Sequence, residues 1–411
     1  MSRRVVVTGM AGLSPIGCDW KQSRDALQHG RSGIQRIAAW DEIDSLRTRL
    51  AGPVAGFTAP SHYPRKSVRA MGRVSLLATR ATELALEDAG LLGDPVLHSG
   101  RCGISYGSSS GSPPAMGVYT RQIYGGRTTR GIGANDYLQL MSHTCAANLA
   151  QFFGVRGRII PTCSACTSGS QGIGYGAEAI RFGLQDVMLA GGAEELDALD
   201  AAVFDVLYAA STRNDEPDQT PRPFDVDRDG LVVGEGAGCL VLEELEHAKR
   251  RGATIYAEVL GFGTNCDGLH LTRPDPGGME QVMRLGLAAA GIDAEAVDYV
   301  NAHGTATDAG DIAESQATLA VYGDRTPVST LKGHLGHTLG ACGALEAWLA
   351  LEMLREGWVA PSLHLERVDP RCAPLDYVRA EPRELACETI ASNNFAFGGV
   401  NTSLVFRRFR S

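Results

Sequence analysis

The chain has 411 residues, of which 44% are hydrophobic and 21% are charged, which is typical of a globular protein with a large core. Its formal net charge of −9 and its aromatic content of 6% argue against a nucleic-acid-binding surface. No apolar run reaches the length of about 18 residues that a membrane span needs, and the first residues do not resemble a secretory signal. Ten cysteines without the spacing of a disulfide framework indicate reduced thiols, so we expect a cytoplasmic protein.

Short apolar segments that run into glycine-rich or polar loops predict buried β-strands along the whole chain. These segments are 5–8, 102–106, 158–161, 186–190, 239–242, 256–262, 297–301, 327–330, 389–392 and 403–406. The spacing of apolar residues predicts helices between them, including 74–89, which Gly90 should end, and 344–356 before Gly357. Strands that alternate with helices indicate an α/β fold with a mostly buried sheet.

The predicted strands fall into two series that separate near Arg251 and Gly252. No Pro/Ser-rich linker lies there, so we expect residues 1–251 and 252–411 to form two halves that pack as one body. The polar segment 213–223 between two strands is predicted to be an exposed loop.

Cys166 lies where an apolar strand is predicted to turn into a helix of small residues. A thiol at the start of a helix lies at the positive end of the helix dipole, which favours the thiolate and suggests a nucleophile. Two other interpretations remain for this segment. The thiol could be a buried structural group, or Cys163 and Cys166 could form a redox C-x-x-C pair, although Cys163 would then lie at the end of a strand.

Two histidines occupy similar strand-to-loop positions later in the chain. His303 follows a strand and begins a Gly/Thr-rich loop, where open α/β sheets bind their ligands. His337 lies in a second loop of this kind, and either residue alone could be purely structural. A metal site made of His334, His337 and Cys342 lacks ligands at a familiar spacing, so we expect no metal.

These segments together resemble the elongating β-ketoacyl-acyl carrier protein synthases of types I and II. The resemblance rests on ACTSG around Cys166, on NAHGTAT around His303, and on Lys332 five residues before His337. Further matching segments are AGGAE at 190–194, RPFDVDRDG at 222–230 and NNFAFGGVN at 393–401. The resemblance covers essentially the whole chain, in the order of the family.

The family implies the thiolase fold, in which two similar αβ halves form a five-layer αβαβα core, usually within a homodimer. It implies that residues 1–251 carry the nucleophilic Cys166 and that residues 252–411 carry both histidines. The implied reaction is a decarboxylative Claisen condensation of an acyl thioester with a malonyl-carrier protein, without a cofactor, in fatty acid or related polyketide or polyene elongation.

The resemblance also assigns roles around the nucleophile. Cys166 would form the acyl-enzyme, and His303 and His337 would stabilise the enolate that decarboxylation produces. The backbone amides of Cys166 and Phe397 would form the oxyanion hole. Two histidines favour the elongating type, because initiating synthases carry Asn in place of the second.

Four further residues acquire supporting roles by the same resemblance. Lys332 would be a charge that orders the site, with Glu314 as its ionic partner. Thr305 and Thr307 would bind the pantetheine arm of the carrier. For Glu314, an ordinary charge on a helix surface is the alternative.

By the same resemblance, two loops would line the acyl pocket. They are the glycine loop near residue 397 and the loop near residue 110, after the second predicted strand. By resemblance, Phe395 and Phe397 would gate this pocket, with ordinary core packing as the alternative. Ala396 stands where the family has Gly, on whose flexibility the gating motion would rely. Ser110 stands at a pocket-lining position, and its small side chain predicts a roomier acyl channel, which would suit a dedicated polyene or polyketide pathway.

Four cations stand out on this acidic chain, namely Arg65, Lys66, Arg69 and Arg213. They resemble the docking patch for an acidic acyl carrier protein, the expected partner, while scattered solvated charge is the alternative. A rival function is that of a non-catalytic chain-length subunit in a synthase heterodimer. Such subunits lose the nucleophile, so the presence of Cys166 with two histidines argues against that function.

Overall fold

The computed structural model describes residues 3–410. Its strands are β1 Val5–Leu13, β2 Gln35–Arg36, β3 Leu50–Gly52, β4 Cys102–Gly107, β5 Ile159–Pro161, β6 Val187–Glu194, β7 Val233–Gly234, β8 Gly236–Glu244, β9 Ala257–Cys266, β10 Tyr299–Asn301, β11 Pro327–Ser329, β12 Trp358–Val359, β13 Asp376–Tyr377, β14 Arg383–Glu384, β15 Thr389–Phe395 and β16 Val400–Arg408. Its α-helices are α1 Trp20–Gln28, α2 Arg65–Val68, α3 Arg73–Asp88, α4 Pro113–Thr120, α5 Ala134–Leu140, α6 Thr144–Phe153, α7 Ser168–Arg181, α8 Ala198–Val206, α9 Leu245–Arg250, α10 Pro276–Ala290, α11 Asp308–Tyr322, α12 Lys332–Leu335 and α13 Cys342–Glu356.

The main strands form two sheets with the same topology. The first has the order β5-β4-β6-β8-β1, and the second has the order β11-β10-β15-β16-β9. In the first, β4 is parallel to β5 and β6, while β8 is antiparallel to β6 and β1. The second sheet repeats these directions strand for strand. The two halves are therefore structural repeats, as the two series of predicted strands indicated.

The two sheets are continuous through one short contact. Val6 and Val7 of β1 pair with Glu258 and Ala257 of β9, and this pairing joins the strands into one sheet of eleven with β13 at its outer edge. All ten strands predicted from the sequence are present, several of them longer than predicted. The division at residue 251 stays a prediction.

Two helices fill the space between the sheets. Helix α7 follows β5 and α13 follows β11, so they occupy equivalent positions in the two halves. Helix α13 is buried on every side from Cys342 to Leu354, which is why its sequence is apolar all round except at Glu346 and Glu352. Helices α3 and α6 cover the outer face of the first sheet, and α10 and α11 cover that of the second. The predicted five-layer αβαβα core is confirmed.

The central helix α7 needs glycine because it touches strands directly. A Cβ atom on Gly172 would lie 2.4 Å from the carbonyl oxygen of Gly191 on β6. A Cβ atom on Gly174 would lie 2.4 Å from the ring of Phe262 on β9. This close approach holds α7, which begins directly after the turn that carries Cys166, against both sheets.

The predicted exposed loop 213–223 is exposed only in its first part. Thr220 and Arg222 are buried. The guanidinium of Arg222 points inward, because it pairs with the buried carboxylate of Asp225 at 3.3 Å. The prediction was wrong for this second part of the loop. Within residues 3–410, no helix combines the length and the apolar character needed to cross a membrane.

We expect Trp348→Ala to destabilise the fold strongly. Trp348 is 1% exposed in the middle of α13, so truncation leaves a large cavity in the central layer and should cost about 3–5 kcal/mol. Phe182→Ala is the control, because this ring is 71% exposed and its loss should cost less than about 0.5 kcal/mol. Urea unfolding followed by circular dichroism measures both. Equal losses would contradict the central placement of α13.

Candidate active site

Three separate connections deliver the side chains of the site. Cys166 lies in the 3-10 turn Ala165–Thr167 between β5 and α7. His337 lies in the equivalent connection of the other half, between α12 and α13, and His303 lies two residues after the end of β10. Because the two halves repeat one topology, these connections meet at one place between the sheets.

The three side chains converge as the sequence predicted. His337 Nε2 lies 3.0 Å from Cys166 Sγ, and the ring centroids of His303 and His337 are 5.0 Å apart. The sulfur and one nitrogen of each ring lie within 4.8 Å of one another. All three residues are buried, so their polar atoms interact at short range in a medium of low polarity.

Hydrogen bonds determine which ring nitrogen of each histidine carries the proton. The backbone N–H of Leu339 donates to His337 Nδ1 at 3.3 Å, so the proton of His337 lies on Nε2, facing the sulfur. His303 Nδ1 lies 3.2 Å from Lys332 Nζ and 3.3 Å from Asn394 Nδ2, which are both donors. The proton of His303 therefore also lies on Nε2. The site presents two neutral N–H donors.

Both histidines remain neutral for electrostatic reasons. Burial, followed by the positive charge of Lys332, lowers the pKa of His303 and of His337 well below the usual value. Burial is the largest single influence on the pKa of Lys332 and lowers it, but the neighbouring acidic groups, first among them Glu346, together raise that pKa overall. The lysine is therefore a permanent cation behind the two rings.

The Cys166 thiol is protonated at neutral pH. Burial raises its pKa to about 12, although Lys332 and the backbone N–H groups of Phe397 and Cys166 act in the opposite direction. The expectation that the helix start favours the thiolate was wrong in its net effect, because desolvation outweighs these positive groups. Both backbone N–H groups act on the sulfur electrostatically, and the oxyanion hole that they would form stays a prediction.

The ionic partner of Lys332 is Glu346, not Glu314. Lys332 Nζ donates to Glu346 Oε1, and Asn394 Nδ2 donates to Glu346 Oε2 at 2.7 Å. Glu314 instead accepts the backbone N–H groups of His303 and Gly304, each at 2.6 Å. Glu314 is 2% exposed, so the alternative of a surface charge is also wrong. It holds the backbone that carries His303.

Glu346 was not predicted to belong to the site, although the sequence contains an indication of its role. It is a carboxylate in a helix whose buried part is apolar except for Glu346 and Glu352, and Glu346 is 0% exposed. A charge buried in this way needs an opposite charge beside it, and Lys332, 14 residues earlier in the chain, was the natural candidate.

The reacting groups lie at the base of a cavity of about 400 Å³. Its lining includes the predicted arm-binding and gating residues Thr305, Thr307, Phe395 and Phe397. The hydroxyl oxygens of the two threonines lie 2.9 Å apart. Ser110 is not part of this lining, and its hydroxyl is buried elsewhere in the loop after β4.

The glycine loop at the end of β15 closes one side of the cavity. The Phe397 ring centroid lies 5.2 Å from that of Phe204. Gly398 and Gly399 have φ angles of 89° and 71°, which only glycine adopts easily. The N–H of Ala396 donates to the carbonyl oxygen of Val400 at 2.8 Å, so a backbone hydrogen bond also closes the loop at this position.

Family models match most of the chain. The N-terminal domain of β-ketoacyl synthases matches residues 2–248, and the C-terminal domain matches residues 256–366. The chain belongs to the β-ketoacyl synthase family. The predicted family of condensing enzymes and its thiolase-like fold are confirmed.

Relatives and solved structures agree with this membership. The 3-oxoacyl-[acyl-carrier-protein] synthase 2 of Coxiella burnetii is 39% identical over 415 residues, covering 99% of each chain. A crystal structure of a β-ketoacyl synthase from Burkholderia phymatum is 56% identical, with a TM-score of 0.98 over 99% of this chain and 100% of that one. A type II polyketide ketosynthase, solved in complex with its acyl-carrier protein, is 28% identical with a TM-score of 0.90 over the full length of both.

The four cations predicted to dock a carrier differ in whether their charge is paired within this β-ketoacyl synthase. Arg65, Lys66 and Arg69 are exposed on or beside α2, and none forms an ion pair with another residue of the described range 3–410. Arg213 donates to the carbonyl oxygen of Asp227 at 2.8 Å and lies 3.6 Å from Asp229. Its charge is thus matched within its own loop.

The redox interpretation of Cys163 and the metal interpretation of His334 are not supported. Cys163 is exposed and free, and its sulfur donates to the carbonyl oxygen of Ser142 at 2.8 Å, so no redox pair with Cys166 exists here. The ring nitrogens of His334 lie 3.1 and 3.2 Å from the carbonyl oxygens of Arg31 and Pro361. His334 is a structural residue that faces away from His337.

We expect alkylation of Cys166 to accelerate with pH without levelling off up to pH 9. Because its pKa is raised above the ordinary thiol value of 9.0, the thiolate fraction, and with it the rate, should rise about tenfold per pH unit. Iodoacetamide labelling quantified by peptide mass spectrometry measures this rate. A plateau below pH 8 would show that Lys332 and the amides outweigh burial.

Proposed function

We propose that this protein is an elongating β-ketoacyl-acyl carrier protein synthase, an acyltransferase that condenses an acyl thioester with a malonyl-carrier protein. One observation carries the proposal. A buried cysteine sulfur faces two neutral histidine N–H donors at the base of a deep cavity. That arrangement suits a reaction that needs one nucleophile and two donors for developing negative charge.

The first half-reaction forms the acyl-enzyme. The Cys166 sulfur attacks the thioester carbonyl of the acyl-carrier, and the resulting oxyanion accepts hydrogen bonds from the backbone N–H groups of Cys166 and Phe397. The carbon–sulfur bond to the carrier then breaks, and the departing thiolate takes up the proton that the Cys166 thiol has lost. The products are acyl-Cys166 and the free carrier thiol.

The second half-reaction extends the chain. The carbon–carbon bond to the malonyl carboxylate breaks, carbon dioxide leaves, and the electron pair delocalises into an enolate. The Nε2–H groups of His303 and His337 donate to the enolate oxygen, because both are neutral and face the cavity. The carbanion attacks the acyl-Cys166 carbonyl, the carbon–sulfur bond to Cys166 breaks, and the cysteine thiolate takes up one proton from solvent.

The supporting residues keep these donors in place. Lys332, paired with Glu346, holds the protonation state of His303, and Glu314 holds its backbone. We propose that Thr305 and Thr307 bind the pantetheine arm, since both line the cavity above the nucleophile.

The side of the cavity at the glycine loop is where we expect an acyl chain to enter the acyl pocket. Phe395 and Phe397 line the cavity beside the glycine loop, and we propose that they gate the acyl pocket. Ser110 does not line this cavity, so a roomier acyl channel, and with it a dedicated polyene or polyketide pathway instead of housekeeping fatty acid synthesis, stays a prediction from its small side chain.

The proposed partner is an acyl carrier protein. The Coxiella burnetii relative is named for this partner, and the polyketide ketosynthase was solved with one. The exposed cations Arg65, Lys66 and Arg69 suit an acidic partner.

We further propose that the protein forms a homodimer. Strand β5 ends the eleven-stranded sheet, so its outer edge is open, and Ile159 on it is 43% exposed. An open apolar edge of this kind commonly pairs with a second copy. A heterodimer with a non-catalytic chain-length subunit remains the alternative assembly. The complete set of Cys166, His303 and His337 disfavours that non-catalytic role for this chain.

We expect Cys166→Ser to reduce condensation by at least about 1,000-fold, because the hydroxyl is a far poorer nucleophile at this buried position. Product mass after incubation with acyl-carrier and malonyl-carrier measures condensation. The wild-type protein should carry an acyl adduct on the Cys166 peptide before malonyl-carrier is added. Cys163→Ser, an exposed cysteine three residues away, is the matched control and should retain full activity. Absence of the adduct in the wild-type protein would favour the non-catalytic role.

We expect the double charge reversal Lys66→Glu and Arg69→Glu to raise the KM for acyl-carrier about tenfold at low salt, with less effect at high salt, because exposed charges are screened. Lys21→Glu is the control. Lys21 is an exposed cation on α1, which packs at Glu356, the end of α13 remote from the site. An unchanged KM at low salt would reject this docking surface.

A further inference from the structure

The cavity runs from a buried base to an exposed rim. Cys166 and His303 at its base are 6% and 5% exposed, and Thr305 above them is 9% exposed. Arg273, in the segment between β9 and α10, lines the rim and is exposed. A ligand that reacts at the sulfur therefore passes the threonines and leaves the protein beside Arg273.

Most of the charged residues that line the cavity already have partners. Arg228 pairs with Asp369 and Asp311, Asp308 with Arg371, and Asp229 with Arg213, while Asp267 accepts a hydrogen bond from Asn401. Arg273 differs from them, because no carboxylate in the described part of the chain lies within ion-pair distance of its guanidinium. The rim thus carries one unmatched positive charge.

The backbone around Arg273 is anchored to the site. The N–H of Gly398 donates to the carbonyl oxygen of Leu271 at 2.8 Å, and the N–H of Asp267 donates to that of Gly399 at 2.9 Å. The segment that carries Arg273 is therefore held against the glycine loop that follows Phe397. The backbone on both sides of the segment is thus fixed, and Arg273 does not lie on a free loop.

We propose that Arg273 binds the phosphodiester of the carrier's phosphopantetheine arm, an inference that rests on the proposed function. The arm carries its thioester at one end and its single phosphodiester at the other. When the thioester reaches Cys166 and the arm passes Thr305 and Thr307, the phosphodiester comes to the rim. A guanidinium matches a phosphate with two parallel hydrogen bonds, and an unmatched cation there offsets the charge that enters.

Three thioester substrates with the same acyl group distinguish which part of the carrier Arg273 contacts. They are acyl-pantetheine, which lacks the phosphate, acyl-phosphopantetheine, which has it, and the acyl-carrier protein. Arg273→Ala should raise the KM about fivefold for the two phosphate-bearing substrates, with kcat unchanged. The KM for acyl-pantetheine should stay at the wild-type value. Arg273→Lys keeps the positive charge but cannot donate two parallel hydrogen bonds, so its KM should lie between those of the wild-type protein and Arg273→Ala.

Arg325→Ala is the matched control, since Arg325 is exposed and lines a different surface groove before β11. It should leave all three KM values unchanged. An equal rise for acyl-pantetheine would show that Arg273 acts through loop packing, and a rise for the carrier protein alone would show a contact with carrier side chains. Either result, or no change at all, overturns the proposal. Wild-type protein inactive on every substrate would instead reject the proposed function.

Discussion

The buried ion pair between Lys332 and Glu346 is the interaction on which the site depends. Taking two charges out of water costs several kcal/mol per ion unless each is well partnered, and here Asn394 completes the partnership of Glu346. The pair has a chemical result. It presents an ammonium to His303 Nδ1, so the proton of that ring lies on the nitrogen that faces the cavity. A structural charge thereby sets the protonation of a reacting group.

The repeat in the fold explains why the site lies between the halves. Helices α7 and α13 are equivalent elements that share the central layer, and each begins next to the site. Cys166 precedes one and His337 precedes the other, so each half supplies one group from the same type of connection. His303 breaks this symmetry, because it follows β10, and Glu314 holds its backbone in place.

The sequence predicted those parts of the structure that local patterns determine. The apolar strands and the stops at Gly90 and Gly357 follow from such patterns, and family motifs identified Cys166 and both histidines. Local patterns could not predict which of two charges that are distant in sequence form an ion pair. Lys332 has two buried carboxylates nearby, Glu314 and Glu346, and only packing in the central layer decides which one it meets. The raised pKa of Cys166 is likewise a property of burial, which a local motif does not contain.

The tautomers of the two histidines also restrict the path of the proton. Each ring already carries a hydrogen on the nitrogen that faces the cavity, and the other nitrogen accepts from a fixed donor. Neither ring can accept the thiol proton without becoming an imidazolium, which burial and the charge of Lys332 disfavour. The strongest available base during acylation is therefore the departing carrier thiolate. A protonated cysteine at rest is then consistent with catalysis, because the same proton that keeps the thiol neutral in its apolar surroundings neutralises the leaving group.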